Sequence, residues 1–337
     1  KQALHDLRIG KRDIEMKNFI HPLLLEPVYK DYIWGGERLK RDFGKETDLY
    51  PLAESWELAC HKDGSNIIKN GELSGKTIQS LIEEDSSILG KRAGNNNYMP
   101  VMVKLIDAND DLSVQVHPDD DYAAKTGCGC GKSEMWYVLD CEENAEIIYG
   151  FKEDITKKEY ETRIKNDSLL EIVNRVKVKK GDVFFTKAGT LHAIGKGMLV
   201  AEIQQNSNTT YRVYDYGRKG KDGKHRALHI EDALNVTVLE RTCQPKIKVN
   251  AIESDGHIET LLTKCPYFKS KLIRLKGEIK PFAGPDSFHH LLCTDSNGVF
   301  EWNDMEISLK KGDSLLVPAG CGEYTITGTL EYILTEV

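Results

Sequence analysis

The chain has 337 residues, 40% of them hydrophobic, and 46 basic against 53 acidic side chains leave a formal net charge of -7. That is enough apolar content for one large domain or two ordinary ones, and it excludes an intrinsically disordered chain. Net negative charge argues against a nucleic-acid or anionic-membrane partner, whereas an anionic small substrate would need a locally positive pocket.

The first fifteen residues, "KQALHDLRIGKRDIE", are polar and precede Met16; they read as a foreign leader or a disordered extension, with Met16 as the natural start. "HPLLLEPV" is far shorter than the roughly 18 to 20 apolar residues that cross a bilayer, and no signal-peptide pattern precedes it. A cytoplasmic protein is expected, and no feature sets its oligomeric state. "SGKTIQSLIEEDSSILG" carries apolar residues at helical spacing, with Ser74 as the candidate N-cap. From "PVMVKLIDAND" onward short segments dominate: "LSVQVH", "EMWYVLD", "AEIIYGF", "DVFFTK", "GMLVAEIQQ" and "TTYRVYDYG", rich in β-branched and aromatic residues. Their close spacing without intervening helices favours an antiparallel sandwich or barrel over a doubly wound sheet. "ITKKEYETRIKNDSLLEIVNRV" and "LHIEDALNVT" supply further helices, and the polar stretch from about 238 to 255 fits a domain boundary.

An internal repeat organises this pattern. "VKKGDVFFTKAGTLHAI" (178–194) matches "LKKGDSLLVPAGCGEYTI" (309–326), with Lys-Lys-Gly-Asp and Ala-Gly each recurring 131 residues later. Two related β-barrel units follow: residues 16–245, with helical insertions at about 75–90 and 153–176, and residues 246–337. The copies differ where His192 is replaced by Glu323, and the second has no Q-x-H upstream. Chemistry is therefore expected in the first unit, with the second lacking metal ligands.

Two metal-ligand sets compete in "VQVHPDDDYAAKTGCGCGKSEMWYV". In a strand, residues two apart share a face, so Gln115 and His117 can both look into a barrel. Glu134 opens the next strand and His192 follows the repeated Ala-Gly turn. Two imidazoles, a carboxylate and an amide suit Zn²⁺, with Fe²⁺, Mn²⁺ or Co²⁺ also open. Cys128 and Cys130 form half of a thiolate site but lack a second pair at matching spacing. The eight scattered cysteines read as reduced thiols.

"SVQVHPDD", "GKSEMWYVLD", "AGTLHAIGKGMLVAEIQQNSNTTYRVYDYGR" and "YIWGG" resemble the type I mannose-6-phosphate isomerases in their short bacterial form, from about residue 20 to 240 and more weakly beyond. The resemblance implies a zinc-dependent double-cupin enzyme, one Zn²⁺ per chain, interconverting mannose 6-phosphate and fructose 6-phosphate. By motif it puts the metal ligands on Gln115, His117, Glu134 and His192. It also puts the active-site lysine on Lys132, an acidic residue on Glu202, an arginine on Arg212, a substrate-side serine on Ser113 and a phosphate contact on Arg218. The Gly-Cys-Gly-Cys loop lies outside the family pattern.

These groups suit a cis-enediol route, with Arg212 facing the oxyanion or shuttling the O1/O2 proton. Glu202 reads as the base or as an orienting partner, and Lys132 as a proton carrier or phosphate contact. The basic stretch 217–226 reads as a solvated turn with Arg218 at its edge. A cupin dioxygenase using Fe(II) and a non-catalytic sugar-binding cupin are the alternatives.

Overall fold

The computed structural model describes residues 21–94 and 97–337; the extension expected over residues 1–15 lies outside them. The chain is mainly antiparallel β, as expected. It divides into two compact units, one of residues 28–61 and 101–250, the other of residues up to 27, 62–100 and 251–337. The segment 62–100, read from the sequence as part of one unbroken catalytic domain, is grouped instead with the C-terminal strands. Strand pairing gives the reason: Ile67–Ile68 pairs with Leu23–Glu26, and Leu23–Glu26 pairs with Ser314–Val317.

The unit of residues 28–61 and 101–250 contains two antiparallel sheets. One runs in the order Val183–Thr186, Glu134–Cys141, Met198–Gln205, Val101–Ala108, Glu54–Leu58, Val28–Lys30; the other in the order Val173–Lys177, Glu146–Phe151, His192–Ile194, Val114–Val116, Tyr211–Tyr214. Side chains from both meet in one core that includes Ile106, Trp136, Val138, Ile147, Tyr149, Phe184, Ile194 and Val200. Burying each such large apolar side chain stabilises the fold by about 1.5–3 kcal/mol. The opposite face of the second sheet carries Val114, Val116, Ile148, Ala193, Tyr211 and Val213. It packs against the helices Lys157–Lys165 and Ile230–Val236 through Tyr160, Ile164 and Ala233. Period-two alternation therefore turns Gln115, His192 and Arg212 away from the helices and toward the first sheet.

The helix expected from Ser74 begins later. Thr77 caps Ile78–Glu84 by accepting the N–H of Ser80, and Asp85 caps a following 3-10 turn over Ser86–Leu89. Ser74 is held in the preceding turn, where its hydroxyl donates to the Lys69 carbonyl and Gly75 takes φ +87°. Among the described residues no helix is long and apolar enough to cross a membrane.

The sequence repeat is a repeat of geometry. Asp182 Oδ2 accepts the N–H of Lys179 at 2.9 Å, and Asp313 Oδ2 that of Lys310 at 2.9 Å. Gly181 and Gly312 stand at φ +88° and +92°, which glycine tolerates without a Cβ clash. Thr186 pairs with Glu134 as Val317 pairs with His289, and His192 with Gln115 as Glu323 with Phe282. The positions matching Gln115, Glu134 and His192 thus hold Phe282, His289 and Glu323. Phe282 is 65% exposed, and Glu323 is exposed. His289 is buried and its Nδ1 is hydrogen-bonded to Tyr324 Oη at 2.9 Å.

The neighbouring His290 is fully buried, with Nε2 2.9 Å from Ser314 Oγ, and burial presses its pKa down to about 3. The unfolded chain takes up this proton below its ordinary value near 6.5, while the folded chain does not. Stability from the neutral ring is therefore complete above pH 6.5 and is lost as pH falls toward 3. In urea denaturation, wild type should lose roughly 2 kcal/mol more than His290→Gln between about pH 7.5 and about pH 5. Equal losses would disprove this assignment.

Candidate active site

His117, Glu134 and His192 bring one ligand atom each to a common point, all within 4.8 Å of one another, and all three side chains are buried. His117 Nε2 lies 3.4 Å from Glu134 Oε2, and His192 Nε2 lies 3.3 Å from Glu134 Oε1. Each ring is oriented from behind: His117 Nδ1 is bonded to the Thr209 carbonyl at 2.8 Å, and His192 Nδ1 to the Thr190 carbonyl at 2.9 Å. These bonds place the protons on Nδ1 and aim both Nε2 lone pairs at the cluster, the outer support that metal-binding histidines use. Glu134 Oε1 and His192 Nε2 are buried with no hydrogen-bond partner among the described residues. Orphaned buried acceptors are costly, and a cation satisfies both. The mixed nitrogen and oxygen set fits a divalent ion.

Charge on the cluster is held by Lys132, whose Nζ donates to Glu134 Oε2 and sits 3.1 Å from His117 Nε2. Burial alone would raise the Glu134 pKa, but the Lys132 ammonium beside it holds it well below the usual carboxylate range. Burial, then Lys132, pushes His117 down to about 4, and burial also lowers His192, so both rings are neutral ligands at pH 7.

In front of this cluster is a cavity of about 260 Å³ lined by Ser113, Gln115, Lys132, Glu202 and Arg212, among others. The structure thus brings together five of the sequence-derived residues, with His117, Glu134 and His192 buried beside them. Gln115 Oε1 accepts from Ser113 Oγ at 3.2 Å, and Ser113 Oγ also takes Arg212 Nε at 3.1 Å. Arg212 Nη1 donates to the Ala227 carbonyl at 3.1 Å, fixing its guanidinium on the wall.

Arg218 is not among the cavity's lining residues. Its guanidinium bonds Asp215 at 2.7 Å, Asp110 at 3.5 Å and the Asp111 carbonyl, and lies 5.0 Å from the Tyr216 ring centre. Arg226, at the other edge of the same basic stretch, does line the cavity. It shares Asp215 with Arg218 through Nε to Oδ2 at 2.7 Å. Residues 221–225 between them are exposed, as a solvated turn requires.

Sequence reasoning also missed a buried charge triad. Lys104 Nζ lies 3.3 Å from Glu202 and 3.6 Å from Glu54. Trp136 Nε1 donates to Glu202 Oε1 at 3.1 Å and Trp56 Nε1 to Glu54 Oε2 at 2.6 Å. Burial would lower Lys104, but Glu54 and then Glu202 outweigh it and raise it above the usual lysine range. The available signal was one lysine inside the otherwise apolar "VMVKLI". His229 was missed too. Its Nδ1 accepts the backbone N–H of Arg212 at 3.2 Å, and its ring lines the cavity.

The architecture and site together define a cupin-type β protein with a metal-ready floor under a polar, sugar-sized cavity. A family described as phosphomannose isomerase type I, catalytic domain, matches residues 23–153, and one described as mannose-6-phosphate isomerase, cupin domain, matches residues 257–337. The probable mannose-6-phosphate isomerase GmuF of Bacillus subtilis is 40% identical over 320 residues, covering 94% of this chain and 99% of that protein. Mannose-6-phosphate isomerase ManA of Bacillus subtilis is 39% identical with the same coverage. The crystal structure of the mannose 6-phosphate isomerase from Bacillus subtilis superposes with a TM-score of 0.88 at 36% identity, over 94% of this chain and 99% of that one. The chain belongs to the type I phosphomannose isomerase family.

Removing Lys104 would leave Glu54 and Glu202 buried and mutually repelling. Lys104→Met should cost about 3–5 kcal/mol in chemical denaturation, and Lys104→Met with Glu54→Gln should recover part of that. A double variant whose losses simply add would argue against the coupling.

Proposed function

We propose that this protein is a metal-dependent isomerase interconverting mannose 6-phosphate and fructose 6-phosphate, with its active site in the unit of residues 28–61 and 101–250. The observation that carries the metal reading is the pair of orphaned buried acceptors, Glu134 Oε1 and His192 Nε2. His117, Glu134 and His192 would hold the ion, with Gln115, which pairs in register with His192, as the fourth ligand. Zn²⁺ fits this donor set. When bound, the ion would polarise the sugar carbonyl and offset charge developing on its oxygens.

The isomerisation moves one proton between C1 and C2 and another between O1 and O2. Glu202 takes the carbon-bound proton. It lines the cavity, and Trp136 and Lys104 fix its orientation while a carboxylate retains further acceptor sites. Arg212, clamped by Ser113 and the Ala227 carbonyl, faces the enediolate oxygens. Lys132 neutralises Glu134 and presents its ammonium to the sugar hydroxyls. Arg226, in place of Arg218, binds the phosphate together with Arg212, supplying the positive pocket that an acidic chain needs for this substrate.

A coupled assay should show conversion of fructose 6-phosphate to mannose 6-phosphate that chelator abolishes and zinc restores. Activity surviving exhaustive metal removal would refute the metal role. Glu202→Gln should lower kcat about 10²- to 10⁴-fold and suppress exchange of the sugar's C1/C2 hydrogen with solvent; unchanged exchange per turnover would make Glu202 a positioning residue. Arg226→Gln should raise KM for the phosphorylated sugar roughly 10- to 100-fold, the loss of a charged hydrogen bond. Arg218→Gln should change it far less, and the reverse order would restore Arg218 as the phosphate contact.

A further inference from the structure

The Gly-Cys-Gly-Cys run has no task in the isomerase reading. It joins the helix Asp120–Thr126 to the strand Glu134–Cys141, and both of its thiols are free and half-buried. One end of the loop is pinned. The Gly131 N–H donates to Asp120 Oδ1 at 2.8 Å, and a Cβ at Gly131 would meet the Asp119–Asp120 backbone at 2.7 Å. The other end is open: a Cβ at Gly127 or Gly129 would meet nothing within 4 Å. Gly129, at φ +102°, separates the two cysteines and is free to change its backbone angles. Cα atoms two residues apart are at most about 7 Å from each other, so a modest bend brings this pair within disulfide range.

The loop also bears on the candidate metal site. Cys128 Sγ lies 3.7 Å from Tyr211 Oη, and the Cys128 carbonyl accepts Thr209 Oγ1 at 3.3 Å. The Thr209 carbonyl is the partner of His117 Nδ1 at 2.8 Å. Cys130 Sγ points elsewhere, donating to the Asn206 carbonyl at 3.5 Å. The Tyr211 and Thr209 contacts of Cys128 fall on the run 209–212, which orients His117 and carries Arg212, while Thr126 Oγ1 donates to the same Sγ at 3.4 Å.

We propose that Cys128 and Cys130 are a reversible modification site, at which exchange with a low-molecular-weight disulfide closes a Cys128–Cys130 bridge and loosens the support of His117. The coupling half of this proposal rests on the metal-site reading above. Cys128, as thiolate, attacks one sulfur of the small disulfide, forming a mixed disulfide and releasing one small thiol. Cys130 then leaves the Asn206 carbonyl, loses its proton to solvent and attacks Cys128 Sγ, releasing the second small thiol. One small disulfide is reduced and one protein disulfide is made. Burial, which pushes the Cys130 thiol up to about 11, keeps it protonated during the first step. Closure turns Cys128 Sγ away from Tyr211 and draws its carbonyl from Thr209.

Zinc-loaded protein should be treated with oxidised glutathione, peptide-mapped, and titrated with a competing chelator before and after dithiothreitol. The map should show a Cys128–Cys130 disulfide distinct from any adduct on the exposed Cys243. Zinc affinity should fall about 10- to 100-fold, the usual effect of losing a ligand's outer partner, and return on reduction. Cys128→Ser and Cys130→Ser should keep their zinc through the same treatment. Only mixed disulfides in the map, or equal zinc loss in both serine variants, would overturn the proposal. Unchanged zinc affinity in the bridged protein overturns it while leaving the metal site intact. A reduced protein that binds no zinc overturns the metal-site reading, and the coupling with it.

Discussion

Glu134 is a carboxylate buried beside two imidazoles and an ammonium, and the neighbouring architecture keeps that charge tolerable. A lone buried carboxylate would protonate or unfold its surroundings. Here Lys132 sits two residues earlier in sequence, across the entry to the strand, so it reaches Glu134 with little loss of chain freedom. The histidines arrive from the opposite sheet, each turned by a backbone carbonyl that removes its other nitrogen from competition. That requirement for two sheets explains why the site lies inside a β sandwich: a single sheet face could not offer ligands from both sides of one point.

Strand period governs which residues reach this interior. In Ser113–His117 the odd positions are polar and the even positions are Val114 and Val116, which pack against the helices. A slip of one residue would put both valines into the cavity and the ligands into the helix interface. The same rule makes the strand "VMVKLIDA" place Lys104 on the face of Ile106 and Ala108, directly across from Glu202 and diagonal to Glu54.

These two rules mark how far the sequence could be read. Strand positions, the repeat and the cluster of His117, Glu134 and His192 were legible because each depends on local spacing or on a motif. Lys104 with Glu54 was not, since their pairing arises from register between strands far apart in sequence. That Arg226 and not Arg218 lines the cavity was hidden for a related reason. Both flank one solvated turn, and only the three-dimensional course of the chain decides that Asp110, Asp111 and Tyr216 capture the first. The grouping of residues 62–100 with the C-terminal unit likewise depends on Leu23–Glu26 pairing on both of its edges, which no local pattern announces.

The repeat shows what the site needs by what its copy lacks. The second unit keeps the Gly-Asp and Ala-Gly turns, yet presents Phe282, His289 and Glu323 at the matching positions, and its interior is filled by Leu291, Phe300, Tyr324 and Ile326. The turns therefore serve the fold, and the candidate site is built from the residues that differ. In the active copy the buried groups Glu54, Lys104, Glu202, Lys132 and Glu134 carry three negative and two positive charges, a net of one negative. A divalent cation held by Glu134 and the neutral imidazoles would change that sum to one positive. A floor with that charge, under a wall carrying Arg212 and Arg226, would attract an anionic sugar phosphate and would favour a negatively charged enediolate over the neutral sugar ring.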